Sequence, residues 1–374
     1  MRFTLSSSGL NSRLQTLARV INGKNTLPIL DCFLFEVEDG GLTVTASDGE
    51  NTMRAAVALD AVEGSGCFAV PNRTVLDALK ELPEQPLTFD VDTEQYTVKV
   101  LYQNGLYNFV AQNADEYPKL QDVAGAANVV TIGADRLNEN IARSLFATAQ
   151  DELRPVMNGI FFDLTPECLA IVASDGHKLV RNKLFSVSSE VPASFILPKK
   201  PATLLRNVLA REDGDVVIKF DERSAEVTFA GGSLRCRLIE GRYPKYNSVI
   251  PQGNPNELTI DRKTLLGALR RVLPFASESS QLVRLHLEAG RLELSSEDVD
   301  FATSARESIG CEYAGQNMNI GFKGSSLSEI LSNLDSDEVT VQLADPSRAG
   351  VIVPTTQPEQ QDVLMLIMPM LLND

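Results

Sequence analysis

An α+β chain built of three similar domains in a row is what the sequence predicts, and three sets of repeated stretches predict it. Leu42-Thr-Val-Thr-Ala-Ser-Asp48, Leu169-Ala-Ile-Val-Ala-Ser-Asp175 and Leu292-Glu-Leu-Ser-Ser-Glu-Asp298 align without gaps, their last aspartates 127 and 123 residues apart. Each alternates apolar and polar residues, the period of a half-buried strand. Val70–Leu82, Leu197–Leu209 and Phe322–Leu334 form a second set of thirteen residues each, ending on leucines 127 and 125 apart. These read as short amphipathic helices. Pro71 and Pro198 stand at the start of two of them, where a missing N–H costs nothing. Phe3-Thr-Leu-Ser, Val130-Thr-Ile-Gly and Leu258-Thr-Ile-Asp open the three units as a strand running into a helix. A period near 125 is too long for a solenoid and is the size of a domain.

Taken in order, Leu10, Leu14, Leu17 and Ile21 mark the buried face of the first helix. Leu137, Ile141 and Leu145 mark that of the third, and Leu265, Leu269 and Val272 that of the fifth. With strand–helix–strands twice per unit, six helices are expected. Asp39-Gly40, Asp48-Gly49, Asp175-Gly176, Ala230-Gly231-Gly232 and Ala289-Gly290 are hairpin turns. The turn-rich stretches Asp122–Asn128 and Gln252–Glu257 place the domains at 1–124, 125–253 and 254–374. Val363–Ile367 reads as a closing core strand. Pro369 cannot continue a central strand, so Met368, Met370 and Leu372 are expected at an edge. Methionine-rich surface suits adaptable binding of several partners.

Of 374 residues, 43% are hydrophobic and 22% charged, which is a globular composition of two or three cores. The first residues lack the apolar run of a signal peptide, and Val363–Leu372 is about half a membrane span in length. A cytoplasmic protein with no membrane association is expected. Five scattered cysteines without a C-x-x-C pair, and only two histidines, argue for reduced thiols and against a standard zinc site.

The net charge of −16 disfavours a conventional nucleic-acid binder, yet the cations are not scattered. On the predicted helices they recur seven apart: Arg73 and Lys80, Arg136 and Arg143, Lys199 and Arg206, Lys263 and Arg270. Seven residues is nearly two turns, so each pair shares a face, turned away from the leucines. One such helix is ordinary solvated surface. Four in an acidic protein point to a basic surface that meets duplex phosphates without reading bases. The helices lack interleaved aromatics and the chain has no tryptophan, so single-strand stacking is not indicated.

Ser174, Asp175 and His177 gather catalytic residue types in one stretch. Successive strand side chains point to opposite faces, so these neighbours cannot form a nucleophilic triad, and Asp175-Gly176 is explained as a turn. The first copy, Asp48-Gly49-Glu50, has no histidine. P-loop, dinucleotide-binding and nucleophile-elbow motifs are all missing from the sequence. His286 occupies an ordinary strand position. No enzymatic activity, cofactor or metal is expected.

With the triplication, Lys24-Asn-Thr-Leu-Pro-Ile-Leu30, Asn158-Gly159, Ala173-Ser-Asp-Gly-His-Lys-Leu179, Glu240-Gly-Arg-Tyr-Pro-Lys-Tyr246 and Met368-Pro-Met370 make the sequence resemble the bacterial sliding clamps, beta subunits of DNA polymerase III, over its full length. The resemblance implies three DNA-clamp domains, each with two helices packed on antiparallel sheets. It also implies a head-to-tail homodimer closed as a ring around duplex DNA, holding the replicative polymerase for processive synthesis. A clamp loader and repair proteins would share one hydrophobic pocket. Its positions would be Met157, Ser174, Gly176, His177, Lys178 and Leu179, with Pro244, Val249, Ile367, Met368, Pro369 and Met370. Lys24, Arg73, Gln150, Lys199 and Lys200 fall at or near positions the family uses for DNA. Tyr107 and Phe109 would meet Leu273 and Phe275 of the second copy. Leu371 stands where many relatives carry a basic residue, Asn373-Asp374 extend the tail, and Ser248 replaces a larger pocket side chain. The alternative is a docking scaffold that does not encircle DNA.

Overall fold

A computed structural model describes residues 1–23, 25, 27–118, 123 and 128–372. Lys24, the expected boundary at 124/125 and the Asn373-Asp374 extension lie outside the described residues. The chain divides into two compact units, Met1–Asn138 with Lys200–Leu238, and Glu139–Lys199 with Ile239–Asp374. Six α-helices occur among the described residues: α1 (Ser7–Leu17), α2 (Asn72–Leu79), α3 (Ala134–Leu145), α4 (Lys199–Leu209), α5 (Arg262–Val272) and α6 (Gly324–Ser332).

The strand-into-helix openings form for local reasons. In Arg2–Ser6 the alternation buries Phe3 and Leu5. Ser6 Oγ then accepts the Gly9 amide at 3.0 Å and caps α1, whose Leu10, Leu14 and Leu17 are fully buried. Asp261 does the same for α5, accepting the Thr264 amide at 2.6 Å. Phe3 stacks on Phe89 and Phe35 on Phe68, giving the first unit an aromatic core.

Among the described residues all strand pairs are antiparallel. The first unit holds a five-stranded sheet ordered Ala61–Glu63, Arg2–Ser6, Pro86–Asp92, Thr97–Tyr102, Gly105–Val110. Its eight-stranded sheet sets Gly232–Arg237 beside Asn51–Val57, with Leu234 opposite Met53. The second unit repeats this seam: in its nine-stranded sheet Lys178–Leu184 lies beside Gln361–Ile367, with Val180 opposite Met365. Met53 and Val180 each stand five residues after the repeated turn aspartate, so the two seams are built from equivalent strands. A four-stranded sheet ends on Thr303–Gly310.

Two expectations change, the turn positions and Arg143, while Val363–Ile367 is the core strand expected, in the middle of its sheet. Beyond it the chain crosses to the other sheet, where the Met370 amide bonds the Gly321 carbonyl at 2.8 Å. The repeated turns are centred one residue later than read. Asp48 and Asp175 flank them, and Gly49-Glu50 and Gly176-His177 are the central pairs, because each aspartate carboxylate caps the turn amides. Arg143, read as part of an exposed basic face, is only 4% exposed. Its guanidinium is ion-paired with Glu139 and with Asp335 (3.2 Å) and bonds Gln361 and Asn140 at 3.5 Å. Replacing it in Arg143→Met takes the guanidinium away from buried Gln361 and from the carboxylates of Glu139 and Asp335. The loss is expected to be about 1–3 kcal/mol in urea unfolding, with DNA affinity unchanged.

Among the described residues no helix is long and apolar enough to cross a membrane. All five cysteines are unbonded.

Candidate functional site

The Ser174–Leu179 hairpin turn is closed by its own side chains. Ser174 Oγ donates to the Lys178 carbonyl at 2.9 Å and accepts the Gly176 amide at 3.1 Å. Asp175 Oδ1 accepts the amides of His177 and Lys178 at 2.8 and 2.9 Å, and Oδ2 accepts Lys178 Nζ at 2.8 Å. Burial opposes ionisation of Asp175, but the ammonium and the two amides outweigh it and hold the carboxyl below the usual range. Lys178 also loses hydration, yet Asp175 and Glu329, the latter at 3.2 Å, raise its pKa. Hydroxyl and carboxylate are thus consumed by turn geometry rather than presented to a substrate. Lys178, expected on a pocket wall, is instead a buried strut whose ammonium points at α6.

What the turn does present is a wall. Gly176 has φ +93°, a conformation that favours glycine, and a Cβ there would lie 3.0 Å from the Arg154 guanidinium. His177 is exposed, and its carbonyl accepts the Met368 amide at 2.8 Å. That bond ties the end of the closing strand to the turn. Beneath them lies a buried cluster that includes Leu179, Tyr243, Tyr246, Ile250 and Leu366, with half-buried Val156 and Phe161 packed on it. Met157 and Ile367 are likewise buried. Over this floor Val249 is 56% and Met368 43% exposed, and Pro244 is exposed. Pro369 and Met370 are half-buried. The hairpin, residues 154–157, 244–249 and 367–370 therefore converge on one apolar corner of the second unit.

Sequence reasoning missed Arg154, Leu153 and the tyrosines. Arg154 is held by Asp151 at 2.8 Å against Gly176, and Leu153 beside it is 92% exposed. Neither sits in a periodic segment, so no pattern could flag them. Tyr243 stacks on Phe161 at 4.6 Å, and Tyr246 donates to Asp163 at 2.8 Å. They line a cavity of about 690 Å³ that shares Pro244 and the pocket-wall position Ser248 with the expected pocket.

The expected DNA-facing residues divide by environment. In the first unit Arg73 on α2, Lys80 at its C-cap and Arg206 on α4 are exposed, and Lys80 pairs with Asp77 at 2.9 Å. Arg136 is half-exposed. Lys200 is a correction: its ammonium donates to the Val20 carbonyl at 2.7 Å and bonds Asn22 and Asp48, whose side chain is 3% exposed. It therefore ties α4 to the first repeated turn. Burial opposes ionisation of Asp48, and the bonds from Lys200, Asn51 and Glu50 hold its pKa low nonetheless. In the second unit Gln150, Lys199, Lys263 and Arg270 are exposed, whereas Arg143 is not.

The remaining expected positions lie on or beside two edge strands. Tyr107 and Phe109 are half-buried on Gly105–Val110, their rings 6.2 Å apart. The turn Leu273–Phe275 packs against Thr303–Gly310, leaving Phe275 40% exposed.

Comparison with known proteins follows the same threefold division. The family models described as the N-terminal, central and C-terminal domains of the DNA polymerase III beta subunit match residues 1–121, 131–245 and 247–371. The chain is 28% identical to the beta sliding clamp of Pseudomonas aeruginosa, covering 99% of this chain and 100% of that one. It is 27% identical to that of Escherichia coli K12 over the same shares. A solved sliding clamp from P. aeruginosa bound to griselimycin superposes with a TM-score of 0.94 at 27% identity, covering 100% of both chains. The Bacillus subtilis clamp, at 24% identity and a TM-score of 0.92, covers both chains equally and shares the fold.

Proposed function

The chain belongs to the DNA polymerase III beta subunit family, and from that premise we infer that two copies close head to tail into a ring around duplex DNA. The ring is a sliding clamp, a tether for the replicative polymerase in the cytoplasm, without chemistry of its own. Its three domains are assigned to 1–124, 125–253 and 254–374, in line with the three matched segments.

One observation supports closure above the others. Each internal seam joins a strand that follows a repeated turn to a strand that ends a domain sheet. Asn51–Val57 takes Gly232–Arg237, and Lys178–Leu184 takes Gln361–Ile367. Their remaining equivalents are Thr303–Gly310 and Gly105–Val110, both unpaired edges. A second copy satisfies both edges at once, which is a heterologous contact that closes on itself. Repeat equivalence sets the register, with Tyr107 opposite the second copy's Ala305 and Asn108 opposite its Ser304. Tyr107 and Phe109 correspond to Leu234 and Cys236, which are fully buried in their seam. Leu273 and Phe275 correspond to Leu145 and Ala147, also buried.

Arg73, Lys80, Arg136, Gln150, Lys199, Arg206, Lys263 and Arg270 would face phosphates, a sequence-independent contact that lets the ring slide. Client peptides, and griselimycin as a probe of the same corner, would dock on Leu179, Pro244, Val249, Met368 and Met370 beside Gly176 and His177. Cysteines at Asn108 and Ser304 test closure: mild oxidation should link two chains, and sedimentation should give the mass of a dimer. A monomer at all concentrations would favour the non-encircling scaffold instead.

A further inference from the structure

Residues 241–248 border the apolar corner and also line the cavity of about 690 Å³. They sit tight against residues 154–157. Gly241 has φ +129°, and a Cβ there would lie 2.8 Å from Val156 Cγ1, so glycine is what allows this approach. Packing fixes the floor of the cavity. Tyr243 is stacked on Phe161, Tyr246 meets the same ring edge-on at 6.2 Å, and Asp163 accepts the Tyr246 hydroxyl. Most of the remaining lining is polar and exposed: Ser194, Asn247 and Ser248, with two cations, Arg242 and Lys245.

Among the described residues neither cation has an ion pair, and the one carboxylate in the lining, Asp163, is already engaged by Tyr246. The whole chain carries −16, so the cavity mouth is a positive opening in an acidic molecule. A negatively charged segment is repelled by most of the protein and attracted here. The exposed hydroxyl and amide groups of Ser194 and Asn247 can serve the main chain of such a segment. This lining suits an extended acidic stretch better than further apolar side chains. Pro244 and Ser248 belong to both the corner and the cavity, and Val156, which touches residue 241, packs on the cluster beneath the corner. A peptide that leaves the corner across Pro244 therefore meets the cavity next.

We propose that this cavity is an additional subsite for the client peptide, holding an acidic stretch continuous with the apolar segment seated in the corner, its carboxylates on Arg242 and Lys245. This rests on the corner as the client site and adds a charge requirement that Leu179, Val249 and Met368 cannot impose. The apolar segment supplies most of the affinity, and the acidic flank selects among chains that carry one.

Random peptides displayed on phage, panned against the full-length protein and eluted with griselimycin, test this. Sequences eluted from the parent should carry Asp or Glu on one flank of an apolar core. Panning against Arg242→Glu with Lys245→Glu should return Lys or Arg there instead. A peptide selected on the parent should bind the double variant about tenfold more weakly, because reversal turns two attractions into two repulsions, and high salt should narrow the gap. Griselimycin itself should bind both proteins alike, which shows an intact corner. If the eluted peptides lack an acidic flank, or bind both proteins equally, the subsite is overturned while the corner stands. If griselimycin elutes no peptide, the corner falls as the client site and the subsite with it.

Discussion

Tyr107→Asp should abolish the ring. The residue lies on the Gly105–Val110 edge, on the side whose equivalents Leu234 and Cys236 are at most 1% exposed in the internal seam. Closure would bury an aspartate there twice per ring, opposite Ala305 and without a cation. An unpaired buried carboxylate costs several kcal/mol, more than a seam held mainly by one strand pair and its apolar flank can bear. Sedimentation should show a monomer at roughly 10 µM chain, where the parent should sediment as a dimer. Because the edge is half-exposed in the single chain, the unfolding midpoint should barely move. Persistence of the dimer would show that the edges do not close the ring.

The second large effect concerns docking. Met368→Ala with Met370→Ala removes two side chains that border the apolar corner without supporting the buried cluster below. At about 1.5–3 kcal/mol per fully buried side chain, and less for partial burial, each removal should cost about one decade in griselimycin affinity. Isothermal titration should thus show about a hundredfold loss for the pair, mostly through a faster off-rate. Dimer mass should be unchanged. Equal binding by the double variant would move the client site elsewhere, with the aromatic cavity around Phe161 and Tyr243 the first place to look.

The fold was legible because its repeats are long and periodic. Alternation at Leu42–Asp48 and its copies marks strands, and the leucine spacing of α1, α3 and α5 marks helix faces that are buried as expected. Pairing partners were not legible, because nothing local in Gln361–Ile367 says that Lys178–Leu184 will lie beside it. Charge was misread for a related reason. Arg143 lies in the spacing of exposed cations and Lys200 at a position the resemblance gives to DNA, yet distant Asp335 and Asp48 draw them inward. Helical periodicity reports the face of one helix, not what packs over it. At the apolar corner, the turn chemistry of Ser174-Asp175-Gly176 could be read from residue type. Arg154 could not, since only the folded chain brings it against Gly176.

The central claim is encirclement, and retention on DNA tests it most directly. Labelled protein loaded onto nicked circular duplex should stay bound through gel filtration at moderate salt, where ordinary phosphate contacts are weakened. It should be released once a single cut linearises that circle. Retention on linear DNA with free ends, or release from the intact circle, would contradict the account.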